Sequence, residues 1–368
     1  MRVGLPREIK DGEFRVALSP QGVRALAGAG HELHVERGAG AGIGAADDEY
    51  AAAGARLGDA DAVWDCELVV KVKELQEIER ARPSAGQVLF SFQHFGPEPR
   101  LLDAALASGA TFLAYETVGQ AAGSLPILAP MSAIAGRLAV HAGAWCLQKH
   151  NGGSGVLLSG LDCVPPAKVV ILGAGNVGAN ALAAAHAIGA LVTVFAATES
   201  RLGALRARYR ERAEFRSGGA GLAEAVAAAD LLIGGVLVPG RMSPKIVTRA
   251  MLGRMRSGSA LVDVGIDQGG IAETSRPTSH SAPVYVEEGV VHYCVPNMPA
   301  ACARTASLAL ERAVLPFAQA IADRGLAAAI AEQPGLATGV QVHAGKLTHE
   351  HLARDTGRAH TRLAEALA

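Results

Sequence analysis

The sequence is poor in cysteine, in aromatic residues and in net charge. Its 368 residues include five cysteines, 4% aromatic residues and a formal net charge of −1 at pH 7. The cysteines are scattered and form no C-x-x-C pair, which argues against a thiolate metal site and favours reduced thiols in the cytoplasm. Without a basic run or aromatic side chains on which bases could stack, a nucleic-acid partner is not expected.

Long apolar runs and a targeting segment are also missing. No run of about eighteen uninterrupted apolar residues occurs, so we expect no membrane span. The opening MRVGLPREIK has neither the apolar core of a signal peptide nor a transit-peptide pattern, which again favours the cytoplasm. What is present is 50% hydrophobic residues with abundant glycine and alanine. This composition is typical of compact α/β proteins, and the length favours two domains.

The clearest pattern lies in residues 169–198, VVILGAGNVGANALAAAHAIGALVTVFAAT, which predict a strand, a glycine turn, a helix and a second strand. Gly173, Gly175 and Gly178 have G-x-G-x-x-G spacing. They would allow, in that order, a tight turn, close approach of a pyrophosphate and close packing of the helix. The phosphates would lie on the free N–H groups at the helix start. The stretch predicts dinucleotide binding; the alternative is a turn that uses glycine only for its geometry.

Further apolar runs alternate with helical patterns along the chain. The predicted strands are residues 2–5, 32–35, 68–73, 88–92, 111–115, 230–236, 260–266 and 290–295. Such alternation predicts an α/β fold of two Rossmann-like domains, each a mostly parallel sheet flanked by helices, with the active site in the interdomain cleft. We expect a substrate domain of residues 1–128 plus 304–368, completed by C-terminal helices, and a dinucleotide-binding domain of residues 129–303.

Four polar residues stand close to the ends of apolar runs, namely Arg15, Lys73, His94 and Asp267. Taken singly, each has an ordinary explanation: a surface ion pair, a lysine reaching for solvent, or a turn residue. Taken together, they form a set that suits chemistry in a cleft. Arginine and lysine suit a carboxylate substrate, and histidine suits proton transfer near neutral pH.

The motifs PREIKDGEFRVALSP, VVKVKE, SFQHF, LAYETV, LPILAPMS, GVLVPG, DVGIDQGG and HYCVPNMP occur in this order over most of the chain. In these motifs the sequence closely resembles the alanine dehydrogenase family, within the alanine dehydrogenase and pyridine nucleotide transhydrogenase superfamily. The resemblance implies an oxidoreductase that interconverts L-alanine and NAD⁺ with pyruvate, ammonium and NADH. It also implies a homo-oligomer, usually a hexamer.

The resemblance also implies roles for individual residues. Arg15, Lys73 and Asn297 would contact the substrate, and His94 would act as the acid and base. Asp267, beside the nicotinamide, would orient water and stabilise cationic intermediates. The residues implied to contact NAD(H) in the second domain are Ser132, Gly173, Gly175, Asn176, Val177, Gly178, Val236, Leu237, Ile266 and Asp267. No metal is implied.

The sequence departs from the family where an aspartate usually binds the adenosine ribose, because Ala196 stands there. Loss of that acid removes its repulsion of a 2′-phosphate, and Arg201 and Thr198 lie near enough in sequence to bind one, which makes NADP an alternative cofactor. Smaller departures are Leu75, Ala133 and residues 159–163 and 300–303. Two other functions remain open: a related dehydrogenase for another small 2-amino acid, and a catalytically silent dinucleotide-binding subunit like that of transhydrogenase.

Overall fold

The computed structural model describes residues 1–119, 123–236 and 242–368, and these residues form two compact units. The first unit combines Met1–Met131 with Ala300–Ala368, and the second is Ser132–Pro299. The first unit is therefore discontinuous in sequence, because the second unit is inserted within it.

The strands of the described residues are short. In chain order they are β1 (Arg2–Leu5), β2 (Glu32–Glu36), β3 (Ala55–Gly58), β4 (Leu68–Val70), β5 (Val88–Ser91), β6 (Thr111–Ala114), β7 (Lys168–Leu172), β8 (Leu191–Ala196), β9 (Glu214–Ser217), β10 (Leu231–Gly234), β11 (Ala260–Asp263), β12 (Val284–Glu287), β13 (Val290–Tyr293), β14 (Val340–His343) and β15 (Lys346–Leu347).

The α-helices alternate with these strands over much of the chain. They are α1 (Pro20–Gly28), α2 (Asp47–Ala52), α3 (Ala60–Trp64), α4 (Pro99–Ser108), α5 (Leu128–Cys146), α6 (Asn176–Ile188), α7 (Gly203–Tyr209), α8 (Leu222–Ala228), α9 (Arg249–Leu252), α10 (Ala303–Arg324), α11 (Leu326–Glu332), α12 (Glu350–Thr356) and α13 (Leu363–Ala366). Within the described ranges, no helix is both long and apolar enough to cross a membrane.

The sheet of the first unit has the strand order β15-β14-β6-β5-β4-β1-β2-β3. Strands β1 to β6 pair in parallel, whereas β14 pairs antiparallel with β6 and β15 antiparallel with β14. The chain begins in the middle of this sheet and builds first to one side and then to the other. The order reverses between β1 and β4, which in an open α/β sheet is where ligands bind.

The second unit has the strand order β12-β13-β11-β10-β7-β8-β9, and only β12 is antiparallel to its neighbour among the described strands. Alternate residues of β7 enter different cores: Val169 and Ile171 pack with Ala181 of α6, whereas Val170 and Leu172 pack with Val226 of α8. Both faces of the sheet are thus covered by helices, as the period of two along a buried parallel strand requires. The predicted fold class is confirmed in both units.

Six of the predicted strands extend past the observed carboxyl ends, and two of them do so by three residues. The strand predicted for residues 68–73 ends at Val70, because the backbone N–H groups of Val72 and Lys73 donate to the Glu8 carboxylate and not to a neighbouring strand. The strand predicted for residues 260–266 ends at Asp263, whose side chain accepts from the N–H of Gly265 and starts a 3-10 helix over Val264–Gln268. In both places a side chain accepts backbone N–H groups just past the strand end, although the N–H of Lys71 still donates to the carbonyl oxygen of Phe90.

Candidate active site

The carboxyl ends of β4 and β5 bring two predicted site residues into contact. These strands are parallel neighbours, so the segments that follow them leave the sheet at the same edge. Lys73 follows β4 and His94 follows β5, and Lys73 Nζ lies 3.3 Å from His94 Nε2. The ring of Phe92 stacks against the imidazole at a centroid distance of 5.7 Å and lies 5.8 Å from the Lys73 ammonium.

The imidazole of His94 is held in its neutral form. Burial, followed by the positive charge of Lys73, lowers the pKa of His94 to about 3, against the opposing charge of Glu74. A protonated lysine only donates hydrogen bonds, so His94 Nε2 is the acceptor and the ring proton is on Nδ1. At neutral pH the histidine therefore carries no proton on Nε2.

The backbone of His94 is in an unusual conformation that Glu116 supports. His94 has φ 48°, in the left-handed region that costs a residue with a Cβ about 1–3 kcal/mol. Glu116 follows β6, the parallel neighbour of β5, and its Oε1 accepts from the N–H of His94 at 2.8 Å. The N–H of Gln93 donates to both Glu116 oxygens at 3.2 Å. One carboxylate thus holds the turn that carries the imidazole.

Arg15 is almost fully buried and is anchored by a neighbouring acid. Its Nε and Nη2 donate to Oε1 and Oε2 of Glu13 at 2.7 and 2.6 Å, the forked geometry of a strong pair. Its Nη1 lies 3.2 Å from Met131 Sδ. The charge of Arg15 is among the weaker influences that lower the pKa of His94, after burial and Lys73. These contacts anchor the guanidinium within the first unit, and its role toward a substrate stays a prediction.

The turn that carries Lys73 rests on a second buried ion cluster. Lys71 Nζ donates to Glu8 Oε2 at 3.2 Å, to Glu79 Oε2 at 3.3 Å and to the backbone oxygen of Lys73 at 3.0 Å. The side chains of Lys71, Glu8 and Glu79 are 0%, 3% and 5% exposed. Because the three acceptors saturate this ammonium, Lys71 fixes the backbone beside Lys73 and is not itself directed at a ligand.

The glycine turn of the second unit follows β7 with the geometry that its spacing predicts. Gly173 has φ 109°, and a Cβ there would lie 2.6 Å from the carbonyl oxygen of Gly235. A Cβ on Gly178 would lie 1.8 Å from the carbonyl oxygen of Gly173, so helix α6 can approach β7 only with glycine at that position. A Cβ on Gly175 would meet no described heavy atom within 4 Å. The turn is close-packed at its two ends and open in the middle.

The open middle of the turn lies at the start of α6. Gly175 is the N-cap of this 13-residue helix, and no described side chain caps it. Asn176 and Val177 are its first residues. The first backbone N–H groups of a helix favour an anion. This end of α6 fits a pyrophosphate.

Asp267 lies on the 3-10 helix after β11, and a buried acid fixes that turn. Asp263 is 0% exposed. Its carboxylate accepts from the N–H groups of Gly265 and Ile271 at 3.1 and 2.7 Å, and from the hydroxyl of Ser275. Burial raises the pKa of Asp263, whereas these hydrogen bonds lower it. Asp267 itself is exposed.

The carboxyl end of β8 has no acidic side chain where a ribose-binding acid is usual. Ala196 ends the strand. The nearby acid Glu199 is paired with Arg206, whose Nε donates to it at 3.0 Å. The hydroxyls of Thr198 and Ser200 contact each other at 3.0 Å. Ala196 therefore stands at the end of β8, and its effect on cofactor choice stays a prediction.

The remaining predicted residues also belong to the second unit. Ser132 on α5, Val236 after β10 and Asn297 after β13 are half-buried, and Ile266 is buried. Asn297 has φ 58°, a left-handed conformation. Leu237 lies outside the described residues. The roles of all these residues stay predictions.

Reasoning from strand ends missed three acidic residues that support these turns, namely Glu74, Glu116 and Asp263. Each lies inside a motif that was recognised for another residue: VVKVKE for Lys73, LAYETV as a whole, and DVGIDQGG for Asp267. The presence of an acidic residue within the same motif as a recognised site residue could have identified them. Over the described ranges, no group of three or more His, Cys, Asp or Glu side chains is placed to hold a metal ion.

Comparisons with known proteins agree with this arrangement. The family models described as alanine dehydrogenase/PNT, N-terminal domain and C-terminal domain match residues 4–135 and 139–350. An alanine dehydrogenase of Halomonas elongata is 51% identical over 361 residues, which cover 97% of each chain. A solved L-alanine dehydrogenase structure superposes with a TM-score of 0.93 at 45% identity, covering 97% of this chain and 99% of the other.

A more distant structure is a transhydrogenase from Sinorhizobium meliloti. It has a TM-score of 0.82 at 26% identity and covers 95% of this chain and 99% of its own. The resemblance inferred from the motifs is thus confirmed over essentially the full length of the sequence. The chain belongs to the alanine dehydrogenase/PNT family.

Proposed function

We propose that this protein is an NAD-dependent L-alanine dehydrogenase, which converts L-alanine, water and NAD⁺ into pyruvate, ammonium, NADH and a proton. Its membership of the family and its similarity to alanine dehydrogenases over nearly the whole chain support the reaction. The observation that carries the proposal is the contact of 3.3 Å between Lys73 Nζ and the neutral imidazole of His94. A cation beside a proton acceptor suits a small substrate that has both a carboxylate and an exchangeable proton.

The second unit supplies the cofactor site in this proposal. The open space at Gly175 and the N-terminus of α6 suit the pyrophosphate, and Gly173 and Gly178 keep the turn close to its sheet. Ser132, Asn176, Val177, Val236, Leu237 and Ile266 would line the rest of that site. When bound, the nicotinamide supplies the acceptor for the hydride, and the protein contributes position, charge and proton transfer.

His94 would remove and return protons during addition of water and loss of ammonia. With a pKa of about 3, the free imidazole is neutral but a weak base. A substrate carboxylate bound at Lys73 would offset the positive charge that helps to lower this pKa. The pKa of His94 would then rise toward neutrality, where a general acid or base is most effective. Substrate binding would thus activate its own base.

Arg15 and Asn297 would complete the grip on the substrate, and Asp267 would orient water and stabilise positive charge on the reacting carbon and nitrogen. The rigid fork between Arg15 and Glu13 limits the side-chain entropy that substrate binding costs. The exposure of Asp267 leaves its carboxylate accessible to solvent and ligands. Several such positioned groups together account for orientation, which in well-aligned cases contributes on the order of 7–11 kcal/mol.

A cytoplasmic homo-oligomer, hexameric as implied by the family resemblance, is part of the same proposal. All five cysteines are free thiols, which suits a reducing compartment. Light scattering of the purified protein measures the subunit number directly, and a monomer would contradict this part.

The activity is tested by following NADH absorbance with L-alanine, against a panel of other small 2-amino acids. We expect turnover with L-alanine, and a fall in kcat of about 10²–10⁴-fold in His94→Ala, the usual contribution of a general acid and base. NADH binding should persist in this variant. His34→Ala, which alters a histidine of the same unit that contacts Glu32, is the matched control and should retain activity.

Two outcomes would contradict the proposal. Absence of turnover with every amino acid, combined with NADH binding, would favour a silent dinucleotide-binding subunit. Preferential turnover of another amino acid would favour a related dehydrogenase.

A further inference from the structure

Glu74 is next to Lys73 in the chain, and the two oxygens of its carboxylate differ in their hydrogen bonding. Its Oε1 is paired with Lys10 Nζ. Its Oε2 is buried and has no hydrogen-bond partner within the described parts of the chain. The side chain is only 10% exposed, so water does not readily replace the missing partner. A buried polar atom of this kind is costly and is uncommon unless it has a function.

The surroundings of this oxygen keep it negatively charged. Burial would raise the pKa of Glu74, but the charges of Lys73 and Lys10, and that of His94 once its imidazole is protonated in acid, outweigh burial and lower the pKa to about 2. At neutral pH the carboxylate is therefore ionised. It can accept a hydrogen bond or face a cation, but it is a poor proton shuttle because its pKa is far from the working pH.

The substrates of the proposed reaction differ in what they offer to such an oxygen. The carboxylate of alanine or pyruvate and the carbonyl oxygen of pyruvate only accept hydrogen bonds, so Glu74 would repel them. The nitrogen is different: as ammonium, amine or iminium it carries N–H donors, and in two of these forms it is positive. Lys73 is proposed to bind the substrate carboxylate, and His94, which contacts Lys73, to exchange protons with the substrate. Both residues influence the pKa of Glu74.

We propose that Oε2 of Glu74 is the acceptor for the substrate nitrogen, and so forms the ammonium subsite of the enzyme. This proposal rests on the proposed function. Within it, Lys73 favours the carboxylate end of the substrate and Glu74 the nitrogen end, so two adjacent residues on one turn orient the molecule. The ion pair with Lys10 uses only Oε1 and does not involve Oε2.

The test is Glu74→Gln, which keeps the shape of the side chain and removes its charge. In the direction of reductive amination, the KM for ammonium should rise at least about tenfold, as expected when a hydrogen bond to a charged acceptor is lost. The KM values for pyruvate and NADH should stay close to those of the parent protein. A merely structural role of Glu74 would instead alter all three KM values and lower the unfolding midpoint.

Lys10→Met is the matched control, because it breaks the same ion pair from the other side and leaves Oε2 in place. If the Lys10 pair were the whole function of Glu74, both variants would raise the KM for ammonium equally. We expect the rise only in Glu74→Gln. Equal rises, or an unchanged KM for ammonium in Glu74→Gln, would overturn the proposal.

Glu74→Asp provides an independent test if the glutamine variant does not fold. It retains the charge but withdraws the oxygens by one methylene group, so the KM for ammonium should again rise while that for pyruvate does not. An ammonium KM equal to that of the parent protein would overturn the proposal. Parent protein that turns over no amino acid would instead refute the proposed function, so the two failures can be told apart.

Discussion

Removal of the Glu116 carboxylate should slow turnover through the backbone of His94. Two N–H groups, those of Gln93 and His94, donate to this carboxylate. Burial raises the pKa of Glu116, and these two bonds act to lower it. Hydrogen bonds to a charged group contribute about 1.5–3 kcal/mol each, so the two together provide about 3–6 kcal/mol to the ionised form. The left-handed conformation of His94 costs about 1–3 kcal/mol. In the parent protein the bonds outweigh the strain, and the imidazole stays in place.

Glu116→Ala removes both bonds and leaves the strain unopposed. A change of about 1–3 kcal/mol shifts a conformational equilibrium by roughly 5- to 150-fold, so we expect kcat to fall within that range. Glu116→Gln retains one carbonyl oxygen and neutral bonds of about 0.5–1.5 kcal/mol, and its loss should be smaller. The dissociation constant for NADH should not change, because the cofactor is proposed to bind the second unit.

The assay is steady-state kinetics with NADH binding by fluorescence and an unfolding curve for each variant. Glu36→Gln is the matched control, since Glu36 also accepts a backbone N–H, that of Arg7 at 2.9 Å, in the same unit. The reasoning is refuted if the folded alanine variant of Glu116 keeps the kcat of the parent protein. It is also refuted if the glutamine variant is slower than the alanine variant.

Two further predictions concern stability and the cofactor. Lys71→Met leaves two buried carboxylates without their cation and should lower the free energy of unfolding by about 3–5 kcal/mol in urea titrations. Burial raises the pKa of Glu8 even though the charge of Lys71 lowers it. A carboxylate whose pKa is raised in the folded state binds a proton more readily there, so protonation favours folding. The deficit of the variant should therefore shrink as the pH falls from about 8 to about 5, and a deficit that grows would contradict the assignment. For the cofactor, Ala196→Asp should lower kcat/KM for NADP more than for NAD, because the new carboxylate repels a 2′-phosphate. Equal effects on kcat/KM for both cofactors would indicate that the adenosine ribose does not bind beside residue 196. A strong preference of the parent protein for NAD would show that Ala196 alone is not sufficient for use of NADP.

The contact between Lys73 and His94 could be anticipated from the sequence, because both follow apolar strands of a parallel sheet. The glycine turn was equally accessible, since its three glycines are close in sequence and have a recognised spacing, and Gly178 is required by the nearby carbonyl oxygen of Gly173. Patterns of this kind need only the chain on either side of them. They predict which residues lie at an edge of the sheet, but not which acidic side chains contact them there.

Glu116 and Glu8 show why the supporting groups were missed. The carboxylate of each accepts hydrogen bonds from backbone N–H groups at least 22 residues away in the chain, as Glu116 does from His94. No periodicity or spacing encodes such a bond, because it depends on how neighbouring strands end. For the same reason the strand predicted from the sequence extended to Lys73. The observed strand ends at Val70, and the Glu8 carboxylate accepts the N–H of Val72. Strand β15, of two residues, was too short for a pattern to reveal, and β14 was not predicted either.

The discontinuity of the first unit has a consequence for how the protein folds during synthesis. Strand β6 has β5 on one side, but its other edge is covered only by β14, more than 200 residues later. Helix α10 is equally late, and its Ser307 and Glu311 accept the backbone N–H groups of Val16 and Ser19 beside Arg15. On the ribosome the inserted unit can therefore finish first, while the earlier segment waits with an open sheet edge. We therefore expect the first unit, whose synthesis begins first, to complete its folding last. The loop that carries Arg15 should be among the last parts of that unit to become ordered.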